Sequence, residues 1–398
     1  MDQLYQFSAT RIRSVSTDFR RYLFDLINWD DRLIAISGAR GVGKTTMLLQ
    51  YIKLRLRKDP DEVIFVNMDD LHFSKTSLVT FAGDFVKRGG KYLFMDEIHK
   101  YPAWSPEIKN IYDYYPDLKL VITGSSALDI FRGTADLSRR AMVYNLHGLS
   151  FREFILLKHK KDLPVISLEQ LLHEPARHTA TILEAVKPIK LFEDYLESGY
   201  YPYFMEGEKG YHTRMRQTVN QVLESDLPAV ENMDYQAVFH LKRLLSVITE
   251  IVPFKPNIHK LSRQLGLSRP TLMKYLSLLE RANLLMLLQP NTHGISRMNK
   301  PEKIYLNNTN LMFALTDGTV NKGTLRETFF LNQVASHSHV RGAEKGDFLI
   351  DGKYTVEVGG RNKPGRQVEG IPNAFIAADN IEHPHGNMIP LWLFGFLY

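Results

Sequence analysis

Residues 38–45 read Gly-Ala-Arg-Gly-Val-Gly-Lys-Thr, and these residue types at this spacing are suited to holding a phosphate. Glycines at 38, 41 and 43 let the backbone take positive φ and close around phosphate oxygens, with successive N–H groups turned inward as an anion nest. Lys44 supplies a cation to the β- and γ-phosphates, Thr45 a hydroxyl ligand for Mg²⁺, and the helix start a partial positive charge. Ala39, Arg40, Val42 and Thr46 complete the stretch from Gly38 to Thr46 that would line ATP. Further on, Asp96-Glu97 ends an apolar run. Asp96 is placed to hold Mg²⁺ through water, and Glu97, leaving the strand in a different direction, to take the proton of the water attacking the γ-phosphate. A third apolar run ends at Gly124-Ser125-Ser126, where Ser125 would present a hydroxyl between the two acids and the γ-phosphate. Ser126 is the alternative, and either would also serve as cap for a helix from Ala127 to Phe131.

Such groups need rigid elements to aim them. Leu33 to Ser37 is a short apolar run without a breaker, as expected of a buried parallel strand feeding the loop, and a helix is predicted from about Gly43 to Leu56. Val63 to Asn67, Lys91 to Met95, Leu120 to Thr123 and Met142 to Leu146 read as further strands separated by amphipathic helices. The pattern predicts an α/β fold with a parallel, helix-covered sheet over residues 1–149, its acids at the carboxyl ends of strands where such sheets carry their ligands.

The segments GARGVGKTT, LFMDEIHKYPAW, VITGSSALDI and LSRRAMVYNLHGLSFREF, in this order and spacing, resemble the AAA-type P-loop ATPases of bacteria and archaea. The resemblance covers the whole chain. It implies a helical lid or linker (residues 150–235), a winged-helix module (236–300) and a small α/β domain similar to restriction-type nucleases (301–398). It also implies an arginine facing the nucleotide shortly before the Leu-Ser-Phe segment, either Arg139 or Arg140, of which Arg140 fits the pattern better; a surface arginine on a solvated turn is the competing reading.

Within 398 residues there is room for two to four domains, and 44% hydrophobic with 24% charged residues is the balance of a folded chain rather than a disordered one. No cysteine occurs, which removes disulfides and thiolate metal sites, and nowhere do 18 apolar residues run together. A cytoplasmic protein without a membrane segment is expected. The net charge of +6 is modest, but residues 236–300 hold ten Lys or Arg against Glu250 and Glu280, a balance of +8 that leaves −2 for the rest.

That basic stretch carries a helix-turn-helix pattern: Ile258 to Leu265, a turn at Gly266, and a helix capped by Ser268 running through Ala282 with Pro270 in its first turn. Leu272, Met273, Leu276 and Leu279 form the expected buried stripe. This leaves Arg269, Thr271, Lys274 and Arg281 for phosphates and base edges, so residues 258–282 are the expected contact with double-stranded DNA. A solvated interdomain packing face is the alternative. Upstream, Tyr195, Tyr200, Tyr201, Tyr203 and Phe204 read as core packing rather than a stacking platform for bases.

Beyond residue 300, Asp351-Gly352 lies between apolar runs and signals a hairpin. A two-residue turn would send Asp347 and Glu357 to opposite faces, whereas a three-residue turn through Lys353 would set them across from each other. With Glu327, these acids resemble the PD-(D/E)xK nuclease pattern, except that Gly359 stands where that pattern has its lysine; Lys363 or Arg361 would have to substitute, and a degenerate scaffold is expected. His337, His339, His383 and His385 lack the ligand pattern of a zinc site. The closing run from Ile389 to Tyr398 reads as a packed terminal element, too short to span a membrane. Taken together, the residues point to Mg²⁺-dependent ATP hydrolysis coupled to DNA or another partner. An ATP-gated binding module with little turnover and an ATPase-controlled nuclease are the rival readings, and oligomeric state is left open.

Overall fold

The computed structural model describes residues 1–56, 60–124, 137, 139–231, 233–251, 255–291, 300–316 and 318–398. They form two compact units, one of residues 1–147 with 225–232, the other of residues 148–224 with 233–398.

In the first unit five strands, β1 (Leu33–Ser37), β2 (Val63–Asn67), β3 (Tyr92–Asp96), β4 (Lys119–Gly124) and β5 (Met142–Asn145), pair in the order β2-β3-β4-β1-β5. All the pairings are parallel. Every residue of β1 is buried, which accounts for its unbroken apolar sequence: a central parallel strand is covered on both faces. Alternate positions divide the core. Leu33, Ala35, Ile64, Val66, Leu93, Met95, Leu120 and Ile122 share one cluster. Against it pack Leu4 of α1 (Asp2–Ser14), Phe81 and Phe85 of α3 (Leu78–Lys87), and Trp104 and Ile108 of α4 (Trp104–Tyr114). Between α1 and α3 in the chain, α2 (Lys44–Arg55) follows the glycine loop, and its Tyr51 lies 6.2 Å, ring to ring, from Phe94.

The second unit opens with helices α5 (Phe151–His159), α6 (Leu168–His173), α7 (Pro175–Ala185), α8 (Pro188–Ser198) and α9 (Tyr211–Gln221). Ser150 with Glu153 and Ser167 with Gln170 form capping boxes at the starts of α5 and α6. The aromatic cluster is interior: Tyr195, Tyr200, Tyr201 and Phe204 are buried, and the Asn310 carboxamide accepts from the Tyr200 N–H at 2.7 Å and the Tyr211 hydroxyl at 2.6 Å. Next come α10 (Tyr235–Ile251), α11 (Ile258–Leu265) and α12 (Arg269–Arg281), with β6 (Leu285–Leu288) antiparallel to β7 (Lys303–Leu306). Gly266 holds φ 67° at the turn, and the Ser268 side chain accepts from the Thr271 N–H at 3.2 Å. The buried stripe of α12 is Leu272, Tyr275, Leu276, Leu278 and Leu279; Met273 is only half-buried, while Arg269, Lys274 and Arg281 are exposed.

After α13 (Thr309–Leu315) and α14 (Lys322–Val334), five strands form a mixed sheet. They are β8 (Val340–Gly342), β9 (Phe348–Ile350), β10 (Tyr354–Gly360), β11 (Ala374–Asp379) and β12 (Met388–Pro390), in the order β12-β11-β10-β9-β8. The hairpin between β9 and β10 takes the three-residue turn. Ile350 pairs with Tyr354, and Asp351 and Gly352 both have positive φ, 51° and 68°. The closing segment is β12 followed by a buried 3₁₀ turn, Leu391–Phe396. Among the described residues no helix is long and apolar enough to cross a membrane.

Candidate nucleotide site

At the carboxyl edge of the parallel sheet, β1 runs into the glycine loop. Gly38 has φ 154°, and a Cβ there would stand 2.4 Å from the Leu146 carbonyl oxygen, so the strand can turn only through glycine. Gly41 and Gly43 follow at φ 84° and 99°. Buried Arg21 ties the loop down from the N-terminal segment, donating to the Val42 carbonyl and, at 2.7 Å, to the His147 carbonyl. The Lys44 ammonium is buried and donates to the carbonyls of Gly38 at 2.8 Å and Ala39 at 3.0 Å. Burial lowers its pKa from the ordinary lysine value, while Glu97 and Asp96 work in the opposite direction.

Asp96, also buried, ends β3. Its Oδ2 accepts from the Thr45 hydroxyl at 2.7 Å and its Oδ1 from the Thr123 hydroxyl of β4 at 2.5 Å. Thr123 Oγ1 in turn accepts from the Glu97 N–H at 3.2 Å. Glu97 itself has φ 54°, a left-handed conformation costing about 1–3 kcal/mol in a residue with a Cβ, which turns its side chain away from that of Asp96. Burial raises its pKa, with Lys44 opposing. Its Oε2 has no hydrogen-bond partner among the described residues, although His99 Nε2 lies 3.5 Å away and Arg40 Nη1 4.0 Å away. A buried carboxylate oxygen left open in this way is suited to taking up a proton. The oxygens of Thr45 and Asp96, one hydrogen bond apart, are the hard donors Mg²⁺ prefers, so the residues fit that ion.

Of the residues expected to act together, Gly38 to Thr45, Asp96 and Glu97 converge; Thr46 is exposed at the start of α2. Ser125 and Ser126 lie outside the described residues. Arg140 stands apart from these residues in its own chain, on a turn. It pairs through Nε and Nη2 with the Asp113 carboxylate of α4, at 3.2 Å each, two residues before β5 begins level with Ile34. That is the amino edge of the sheet, a strand length of roughly 15 Å from the glycine loop, so neither Arg140 nor the exposed Arg139 faces its own chain's loop. Besides Lys44 and Arg21, Arg40 and Lys100 bring cations to the loop. Both reach Asp226, 2% exposed: Arg40 Nη1 lies 3.4 Å from Oδ2 and Lys100 Nζ 3.0 Å from Oδ1. Sequence reasoning missed Arg21, Thr123, His99, Lys100 and Asp226; His99 and Lys100, three and four residues after Asp96, and Thr123, just before Gly124, stood close enough in sequence to draw notice.

The acids of the second unit gather differently. Lys303 Nζ lies between Glu327 Oε2, at 2.9 Å, and Asp347 Oδ1, at 3.2 Å, and the Tyr305 hydroxyl donates to Glu327 at 2.6 Å. Burial works against the Lys303 charge, but the two carboxylates outweigh it and raise the pKa above the usual lysine value. Glu357 is buried and pairs with Lys363 Nζ at 3.1 Å. The stem of Lys363 occupies the space a side chain at Gly359 would need, with Cδ and Cγ each 2.7 Å from the Cβ position. Among the described residues no three metal-ligating side chains are grouped to hold an ion.

Comparison with known proteins agrees with the first unit's geometry. Residues 30–155 match the family described as AAA domain. Residues 189–322 match a domain of unknown function, DUF8612. An uncharacterized protein of Methanocaldococcus jannaschii is 26% identical over 284 residues, 68% of this chain and 60% of that protein, so the match spans about three fifths of the relative's length. Among solved structures, AMPPCP-bound DnaA from Aquifex aeolicus is 13% identical with a TM-score of 0.28, covering 70% of this chain and 88% of that one. PCH-2 of C. elegans is 15% identical with a TM-score of 0.26, covering 69% and 67%.

Proposed function

We propose that this chain binds ATP with Mg²⁺ along Gly38 to Thr46 and hydrolyses it, with Glu97 as general base. The observation that carries the reading is the junction of Thr45, Asp96, Thr123 and Glu97, which links the glycine loop to the ends of β3 and β4. The loop amides and Lys44 bind the phosphates, Lys44 exchanging its carbonyl partners for phosphate oxygens. Mg²⁺ held by Thr45 and Asp96 would offset phosphate charge during transfer. Glu97 Oε2 orients the attacking water and takes its proton, which its raised pKa favours. Phosphate release by wild type and Glu97→Gln tests this. The variant should bind ATP yet turn over at least about 100-fold more slowly, and equal rates would reject Glu97 as the base.

The exposed cations of α12 support a second component of the reading, in which residues 258–282 bind duplex DNA and so couple turnover to a partner. For the C-terminal acids the supported reading is a degenerate nuclease-like scaffold. Lys303 stands between two of them, and Lys363 neutralises the third.

A further inference from the structure

Arg40, Lys44 and Lys100 share one cluster with Asp96, Glu97 and Asp226, equal numbers of each sign. Five of these belong to the glycine loop or to the stretch from Asp96 to Lys100. Asp226 comes from far along the chain, at the end of a five-residue π-helical stretch, Val222–Asp226, a wide turn that is rare and concentrated at functional sites. Residues 225–232 count with the first unit, although the chain on both sides of them belongs to the second. Asp226 is 2% exposed and lies against both Arg40 and Lys100. A carboxylate buried between two cations satisfies the loop's positive charge much as an oxygen of a terminal phosphate would.

We infer that Asp226 is a γ-phosphate-operated latch: a positioning residue that holds Arg40 and Lys100 until the γ-phosphate of MgATP takes them over, releasing residues 225–232. The electrostatics give the direction. The cluster is balanced by its own carboxylates, and MgATP brings net negative charge into a buried site where like charges are poorly screened. Asp226 is the one carboxylate of the three with no part in Mg²⁺ binding or proton transfer, so it is the group whose departure restores balance. ADP carries no γ-phosphate and leaves the contact in place. Segment 225–232 is short and tethered at both ends, and its release converts nucleotide state into a change of backbone protection.

This inference rests on the nucleotide reading above, and the experiment separates the two. Calorimetry measures binding of a non-hydrolysable ATP analogue with Mg²⁺. Hydrogen exchange then follows residues 225–232 of the wild-type chain alone, with MgADP, and with the Mg²⁺-loaded analogue. Faster exchange with the analogue and none of that increase with MgADP is expected. Asp226→Asn, which removes the competitor, should bind the analogue about tenfold more tightly, within the range of couplings between linked sites. A residue that merely supported the loop would weaken binding when altered. If the analogue binds while exchange at 225–232 stays the same, or rises equally with MgADP, the latch is overturned and the nucleotide reading stands. If the analogue does not bind the folded wild-type chain, the nucleotide reading falls and the latch with it. The exchange measurement needs no variant, so misfolding of Asp226→Asn would not leave the question open.

Discussion

His99 shows how the site's charges bear on folding. Its side chain is fully buried beside Glu97, and its pKa is lowered from 6.5 to about 4, first by burial and then by Lys100, Lys44 and Arg40, with Asp226 opposing. Between about pH 4 and 6.5 the folded chain therefore holds a neutral imidazole where the unfolded chain holds a charged one. Stability from this group is complete above pH 6.5, is lost as pH falls, and is exhausted near pH 4. Unfolding free energies measured across that window should fall about 1.4 kcal/mol per pH unit more steeply in wild type than in His99→Gln. Identical pH dependence of the two would mean that the imidazole is not held neutral. At this scale the sequence was legible where chemistry is contiguous. Gly38 to Thr45 and Asp96-Glu97 announce themselves by spacing, because one loop or one strand end imposes it. Arg21 and Asp226 leave no such mark, since their partners are chosen by the folded sheet. Arg140 was set at the nucleotide by the resemblance alone, and within this chain it pairs with Asp113 ahead of the amino end of β5.

Elements were easier to read than their registers. Strands β1 to β4 follow from apolar runs that suit a covered sheet, whereas the edge strand β5 is mostly exposed, and Gly266 and Ser268 mark the boundaries of α11 and α12 because a left-handed turn and a cap have few alternatives. The β9–β10 hairpin was ambiguous, since Asp-Gly suits both turn lengths; the three-residue form pairs Val356 with Phe348 and brings Asp347 opposite Glu357. Lys303, on β7 of a separate two-stranded sheet, could not be read as a partner of Glu327 and Asp347 from spacing. Its role is testable through stability. Lys303→Met leaves Glu327 and Asp347, 17% and 16% exposed, facing each other without a cation, which should cost about 3 kcal/mol in chemical denaturation. Millimolar Mg²⁺ should restore part of that loss in the variant and change wild type little. Wild-type stability in Lys303→Met, or Mg²⁺-dependent DNA cleavage by wild type, would contradict the scaffold reading.

Across the whole molecule the charge is uneven, and this has a consequence for the chain's proposed partner. Residues 236–300 carry ten Lys or Arg against two acids, while the chain as a whole has a net charge of only +6, so the remainder is slightly acidic. A basic module on an otherwise acidic chain favours a polyanion reaching that module rather than coating the protein indiscriminately. Duplex affinity should therefore fall as salt rises, because each phosphate neutralised by a cation releases condensed counterions. Arg269, Lys274 and Arg281 are exposed on α12, and replacing all three with Gln should make the slope of log affinity against log salt shallower by about 2.7 if each meets a phosphate. The α12 core residues Leu272, Leu276 and Leu279 are untouched by those changes, so folding should be preserved. In the coupled reading, duplex DNA also raises ATP turnover of wild type and raises it less in the triple variant at equal DNA concentration. An unchanged salt slope in the folded triple variant would remove α12 as the contact. Turnover indifferent to saturating duplex would separate hydrolysis from DNA and leave the nucleotide chemistry of the first unit standing alone.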